Sequence, residues 1–190
     1  ELIKKKEKVK WFFFSSTSHV YNFSKKKINE RTKTNPSSQY GLTKLKAENY
    51  ISNKLKKKKI PFCIGRIFSF TNIRQTKDFV IPSIIDKAKK AKKEIHFDNV
   101  NHYRDFLCIY DICKAIEILM KRKSTGIFNI GSGKAVLISN IIKFVFKKYN
   151  KSYHVNNKIV GNSLIANNDK IKNLNWKPSK DIKSIIEELF

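Results

Sequence analysis

The chain has 190 residues, with 41 Lys and Arg against 15 Asp and Glu, a formal net charge of +26. Its 41% apolar and 12% aromatic residues, with four Pro and six Gly, can bury a sizeable core, which excludes disordered and fibrous classes and fits one domain or a large piece of one. No apolar run approaches the roughly 20 residues of a membrane span, and the start, Glu1-Leu2-Ile3-Lys4-Lys5-Lys6, lacks the apolar stretch of a signal peptide.

Residues 1–10 read as the end of an amphipathic helix that runs into an apolar strand over Val9 to Phe14, closed by the polar cluster Ser15-Ser16-Thr17-Ser18. A loop rich in Asn, Lys and Ser follows. Asn35-Pro36-Ser37-Ser38 is a stop-and-start signal, with Ser37 or Ser38 able to cap a helix from Gln39 to Lys58. Ile60 to Phe68 reads as a second buried strand. Strand, loop, helix and strand make one βαβ unit, so the expected fold class is α/β with a doubly wound parallel sheet. Ile81 to Lys92 reads as a helix with Pro82 in its first turn, Glu94 to Phe97 and Asp105 to Tyr110 as short strands, and Asp111 as the cap of a helix reaching Arg122. Gly126 leads into a strand over Ile127 to Ile130, and the turn Gly131-Ser132-Gly133 precedes a helix from Ser139 to Tyr149. Ser179 to Phe190 reads as an amphipathic helix with Ile182, Ile185, Ile186 and Leu189 on one face.

Of the 41 cations only five are Arg; the 36 Lys, 18 Asn and 26 Ile form a skew that AT-rich codon usage produces. Proteins that read bases or grip phosphates favour the bidentate Arg fork with interleaved aromatics, so runs such as Lys56 to Lys59 read as solvated helix ends rather than a nucleic-acid surface. Cys63, Cys108 and Cys113 are odd in number and show no CxxC spacing, which suits buried thiols in a reducing, cytoplasmic compartment. His19, His96, His102 and His154 make no metal-ligand pattern, and no metal is expected.

The residues that carry chemistry are Thr17, at the carboxyl end of the first strand, and Tyr40-Gly41-Leu42-Thr43-Lys44 on the helix after it. Spacing of i, i+4 puts Tyr40 and Lys44 on one helical face, where an ammonium can favour the phenolate. A phenol so assisted is a usable proton donor or acceptor at neutral pH. Carboxyl ends of parallel strands are where α/β sheets hold their ligands, which puts Thr17 in the same crevice.

On these residues the chain resembles the extended short-chain dehydrogenase/reductase family, the NAD-dependent epimerase/dehydratase enzymes that act on nucleotide sugars. Phe13 to Tyr21 resembles the family's strand-end segment with its Ser/Thr, and Tyr40 to Lys44 its YxxxK. Arg66-Ile67-Phe68, Arg104-Asp105-Phe106 with Asp111, Phe128 to Gly133, and Leu174-Asn175-Trp176-Lys177-Pro178 are similar to four further segments in the expected order. The resemblance implies a partial Rossmann-like doubly wound sheet with a small C-terminal substrate-binding lobe. Residues 1–78 would be the C-terminal part of the dinucleotide-binding domain and 79–190 mainly the lobe, with 105–130 returning to the Rossmann core.

By the same resemblance the cofactor is NAD or NADP and the partner a nucleotide-diphosphate sugar, oxidised, reduced or epimerised at C4 by an epimerase or 4-keto reductase. Thr17, Tyr40 and Lys44 would be catalytic, Tyr40, Lys44, Ser15 and Ser16 would hold the cofactor, and Ser69, Phe79 and Arg104 the substrate. The helix Gln39 to Lys58 resembles one face of a homodimer. Several positions depart from the pattern. The glycine-rich phosphate loop is absent, so the sequence is expected to be a fragment of the full enzyme. Ser18-His19 stands where 4,6-dehydratases carry Asp-Glu, which disfavours dehydration; His19 is either a substitute acid/base or a loop histidine packed beside Tyr21. Ser69 stands where many members have Asn. Phe79 packs on a base or in the core, and Arg104 pairs with diphosphate or with Asp105 or Asp111. Two further classes stay open: a nucleotide-sugar-binding remnant without turnover, and a basic nucleic-acid binder.

Overall fold

The computed structural model describes residues 9–156 and 163–190. The strands in chain order are β1 (Phe12–Thr17), β2 (Phe62–Ile67), β3 (Ser69–Thr71), β4 (Ile95–Phe97), β5 (Tyr103–Arg104), β6 (Phe106–Cys108), β7 (Gly126–Ile130), β8 (Val136–Leu137), β9 (Tyr153–Val155) and β10 (Ser163–Leu164). The helices are α1 (Gln39–Lys57), α2 (Val80–Lys90), α3 (Ile109–Lys121), α4 (Ile138–Lys148), α5 (Asp169–Lys172) and α6 (Ile182–Glu187), with one 3-10 turn at Ser18–Val20. The helix expected within residues 1–10 falls largely outside the described residues.

A parallel sheet of order β1-β2-β7 forms the floor beneath the cleft described below. β1 pairs with β2 from Phe12 opposite Phe62 to Thr17 opposite Ile67, and β7 lies on the other side of β2 with Cys63 opposite Gly126. Within 105–130, β7 joins this sheet, whereas β6 pairs with β3 outside it. The other pairings are short: β3 with β6 and β4 with β9, both parallel, and β5 between β10 and β8.

β1 runs three residues beyond the apolar stretch, through Ser15, Ser16 and Thr17. Hydroxyl residues usually mark a turn, but here they keep their ladder bonds to β2, and the buried Ser16 side chain finds a partner in Glu48. α1 is capped by Ser38, whose Oγ accepts from Gly41 N at 3.1 Å. Lys54, Lys56 and Lys57 fill its last turn, and Lys59 at φ 55° reverses the chain while Ile60 N donates to Leu55 O at 3.0 Å.

Two apolar clusters flank the sheet and the smaller strands. α3 turns Ile112, Ala115 and Leu119 onto Cys63, Phe128 and Ile130, with Trp176 closing the edge. α2, α4 and α6 bury Ile84, Ile85, Ile142, Phe146 and Ile186 together with Phe97 and Phe106. Asp111 is not the cap of α3: Cys108 precedes the helix, and Asp111 is its third residue, buried. Its Oδ1 accepts from Ser179 N at 2.9 Å and Ser179 Oγ at 2.7 Å, and its carbonyl from Trp176 Nε1 at 3.0 Å. A carboxylate read as a helix start thus tethers the segment that leads into α6.

The turn Gly131-Ser132-Gly133 wraps a carboxylate of the chain itself. Asp105, fully buried, accepts from Ser132 N and Ser132 Oγ, both at 2.6 Å, from Gly133 N at 2.9 Å and from Ala166 N at 3.0 Å. Gly133 sits at φ 73°, where a side chain is strained. Burial pushes the Asp105 carboxyl above its usual range, against the pull of those four donors.

Candidate active site

A cleft of about 590 Å³ opens over the carboxyl ends of β1 and β2. Every residue singled out in the sequence lines it: Ser15, Ser16 and Thr17 from β1, Tyr40 and Lys44 from the start of α1, Ser69 from β3, Phe79 just before α2, and Arg104 from β5. Thr17 is 6% exposed at the floor, whereas Tyr40 and Phe79 are 55% and 50% exposed at the walls, so two aromatic faces are open to a ligand. Phe79 is thereby not a core residue.

Lys44 is held by the end of β1. Its Nζ donates to Ser15 O at 2.8 Å and lies 5.0 Å from the centroid of the Phe14 ring. Ser16 points away from the open side and donates its Oγ to Glu48 Oε1 at 2.5 Å. Arg104 stacks over Phe23 at 5.2 Å and donates Nη1 to Tyr103 O at 2.8 Å. Burial pulls its pKa down, yet guanidinium stays charged at any ordinary pH.

Gly41 follows Tyr40 in the first turn of α1. A Cβ at Gly41 would come within 2.1 Å of His19 O, so only glycine lets the first turn of α1 rest directly on the 3-10 turn. That contact also sets His19, whose ring stands edge-on to Tyr40 with centroids 5.9 Å apart. His19 is thus packed against Tyr40, and Tyr21, the neighbour expected for it, points elsewhere.

Tyr21 belongs to a buried network that single residues gave little sign of. Glu48 and Arg66, 3% and 4% exposed, form an ion pair at 2.6 Å; Arg66 Nη1 donates to Tyr21 Oη at 2.8 Å, and Tyr21 Oη donates to Asn129 Oδ1 at 2.9 Å. The network ties α1 to β1, β2 and β7. Its signal in the sequence was the continuation of the helical face: Glu48 is four residues beyond Lys44 and eight beyond Tyr40. Two histidines, His19 and His102, also line the cleft, and both are held below their ordinary pKa by burial and then by the charge of Arg104. Among the described residues no group of three or more His, Cys, Asp or Glu is arranged to hold a metal, and no helix is long and apolar enough to cross a membrane.

The family model for GDP-mannose 4,6-dehydratase matches residues 1–189. The chain belongs to this family. An uncharacterised UDP-glucose epimerase, YtcB, of Bacillus subtilis is 29% identical over 157 residues, covering 80% of this chain and 50% of that protein. A crystal structure of UDP-glucuronic acid 4-epimerase from Bacillus cereus, in complex with UDP-glucuronic acid and NAD, superposes with a TM-score of 0.85 at 25% identity, over 96% of this chain and 60% of that one. RMD from Pseudomonas aeruginosa, complexed with NADPH, gives a TM-score of 0.86 at 19% identity over 94% of this chain and 65% of that one, a likeness of fold. The chain spans about half the length of the curated relatives it matches.

Proposed function

We propose that the chain carries the proton-transfer and sugar-binding side of an NAD- or NADP-dependent enzyme that oxidises, reduces or epimerises a nucleotide-diphosphate sugar at C4. The observation that carries this reading is the single cleft in which Thr17, Tyr40 and Lys44 meet Arg104 and Phe79. Epimerases and a reductase of nucleotide sugars among its relatives support the same class of chemistry.

The donor set fits the nicotinamide end of such a cofactor: the Lys44 ammonium and the hydroxyls of Tyr40 and Ser15 suit a ribose, while the sequence contains no glycine-rich turn for the diphosphate. When bound, the nicotinamide supplies or accepts a hydride. Tyr40 gives or takes the proton of the sugar hydroxyl, and Thr17, at the floor of the same cleft, hydrogen-bonds the reacting oxygen. Arg104 pairs with the diphosphate through its planar guanidinium, Phe79 covers the base, and Ser69 meets a sugar hydroxyl.

Titrating the chain with UDP-glucose and dTDP-glucose, by calorimetry or saturation-transfer NMR, tests the binding half. Arg104→Ala weakens binding by about tenfold or more if it holds the diphosphate. Hydride transfer with NAD or NADP tests the chemistry: Tyr40→Phe loses about 10²- to 10⁴-fold in turnover and keeps its affinity for the nucleotide sugar. Unchanged turnover in Tyr40→Phe removes the phenol from the reaction. Binding that collapses with salt and ignores Arg104 favours the nucleic-acid alternative.

A further inference from the structure

We propose that His96 and His154 form a site, outside the cleft, for a divalent metal ion of the class imidazole prefers, Zn²⁺, Ni²⁺ or Cu²⁺, and that the bound ion clips β4 to β9. The site is independent of the nucleotide-sugar reading.

The two histidines meet through strand alternation and register. β4 and β9 turn alternate residues inward, where Ile95 and Phe97 of one strand and Tyr153 and Val155 of the other pack with the cluster of α2, α4 and α6. The residue between them faces out in both strands, and in both it is an exposed histidine. Parallel pairing sets His96 opposite His154, with Ile95 opposite Tyr153 and Phe97 opposite Val155. A slip of one residue would set each histidine against an inward-facing partner, so the apolar packing that fixes the register also fixes the pair. Spacing along the sequence does not show it, because β9 follows α4 and the two strands meet only in the fold.

The distance suits one shared ion. The ring centroids lie 5.3 Å apart. With metal–nitrogen bonds of about 2.0 to 2.1 Å, an ion sits about 3.2 Å from the centre of each imidazole it binds, and two imidazoles at the tetrahedral angle then have centroids about 5.2 Å apart. Both rings are exposed, so a nitrogen of each is free to turn toward that common point. Glu94 Oε2, 3.5 Å from His96 Nε2, adds a negative charge that favours a cation on a chain of net charge +26. Two protein ligands leave the remaining places of the ion to water, in accord with the absence, among the described residues, of any three-ligand group. Each strand contributes only three residues to this pairing, and a clip that closes a long loop stabilises more than one that closes a short loop.

The full chain is titrated with Ni²⁺, whose unpaired electrons broaden nearby proton signals, while the imidazole resonances of all four histidines are followed by NMR and the affinity is measured by calorimetry. The signals of His96 and His154 are expected to broaden together at sub-stoichiometric Ni²⁺, with those of His19 and His102 unchanged. Because the second imidazole binds intramolecularly, His96→Asn and His154→Asn each weaken Ni²⁺ binding about 10²-fold, and the double variant stays within about threefold of either single. Ni²⁺ at about a hundredfold excess over its wild-type Kd raises the wild-type Tm by about 5 to 10 °C and that of either variant by less than about 2 °C. Both substitutions change exposed side chains, and circular dichroism matching the wild type confirms the fold. Broadening of one of the two rings alone, or of all four alike, overturns the proposal, as does unchanged Ni²⁺ affinity in either single variant. Mg²⁺, which seeks oxygen ligands, is expected to reproduce none of these effects; an equal Tm rise with Mg²⁺ assigns the stabilisation to carboxylates and overturns the imidazole site.

Discussion

Replacing Glu48 with Gln keeps the shape of the side chain and removes its charge from a position only 3% exposed. The carboxylate there receives Arg66 Nη2 at 2.6 Å, Arg66 Nε at 3.0 Å and Ser16 Oγ at 2.5 Å. The variant leaves a guanidinium, itself 4% exposed, with a neutral amide and the Tyr21 hydroxyl as its partners. Stripping one member from a buried ion pair costs about 3 to 5 kcal/mol, because the remaining charge stays desolvated. For a chain of this length each kcal/mol lowers Tm by about 2 to 4 °C, so the melting point falls by roughly 6 to 20 °C. Urea unfolding of the wild type, Glu48→Gln, Arg66→Met and the double variant Glu48→Gln/Arg66→Met measures the cycle. The double variant removes both charges together and is expected to recover most of the loss, giving a coupling of about 2 kcal/mol or more. Glu48→Gln within about 1 kcal/mol of wild type, or a double variant as unstable as the sum of the singles, refutes the view that this pair clamps α1 to the sheet.

Gly41→Ala forces a methyl to within 2.1 Å of His19 O, so α1 or the 3-10 turn has to shift; an overpacking cost of about 1 to 3 kcal/mol and weaker nucleotide-sugar binding are expected, read by urea unfolding and calorimetry. The pH dependence follows from His19 and His102, both held below their ordinary value of 6.5 in the folded chain by burial and by Arg104. The unfolded chain then binds more protons than the folded one in acid, so their contribution is fully present above pH 6.5 and is lost as pH falls through the folded values. Imidazole resonances that titrate below 6.5, and a smaller loss of stability between pH 7.5 and 5 in His102→Gln than in wild type, are the expected signs. Midpoints at or above 6.5 contradict it.

The parts of the fold that sequence alone makes legible are those whose signals are local. Ser38 caps α1 one residue before Gln39, and apolar runs at 62–67 and 126–130 form strands of the parallel sheet. β5, β8 and β10 were not legible, since strands of two residues carry no periodicity and exist because distant segments meet there. The same holds for polar residues whose partners are remote. Asp111 has the spacing of a cap, but its partner is Ser179, 68 positions away. Asp105 reads as a polar residue at the head of a strand, and only the fold brings Ser132, Gly133 and Ala166 around it.

At the end of β1 the site and a concentration of buried polarity coincide. Three hydroxyl residues in a row, Ser15, Ser16 and Thr17, ordinarily cannot be buried without cost. They remain strand because each has been given other work: the Ser15 carbonyl takes Lys44, the Ser16 hydroxyl goes to Glu48, and the Thr17 hydroxyl takes the backbone of His19. Lys44 and Glu48 lie on the face of α1 that begins at Tyr40, so one helical stripe takes two successive strand residues, Ser15 and Ser16. Buried polarity in this protein is therefore concentrated where α1 must be registered against β1. A one-residue slip between them separates Lys44 from Ser15 and Glu48 from Ser16 at once, which is why the Glu48 and Arg66 cycle tests the geometry of the cleft as well as the stability of the fold.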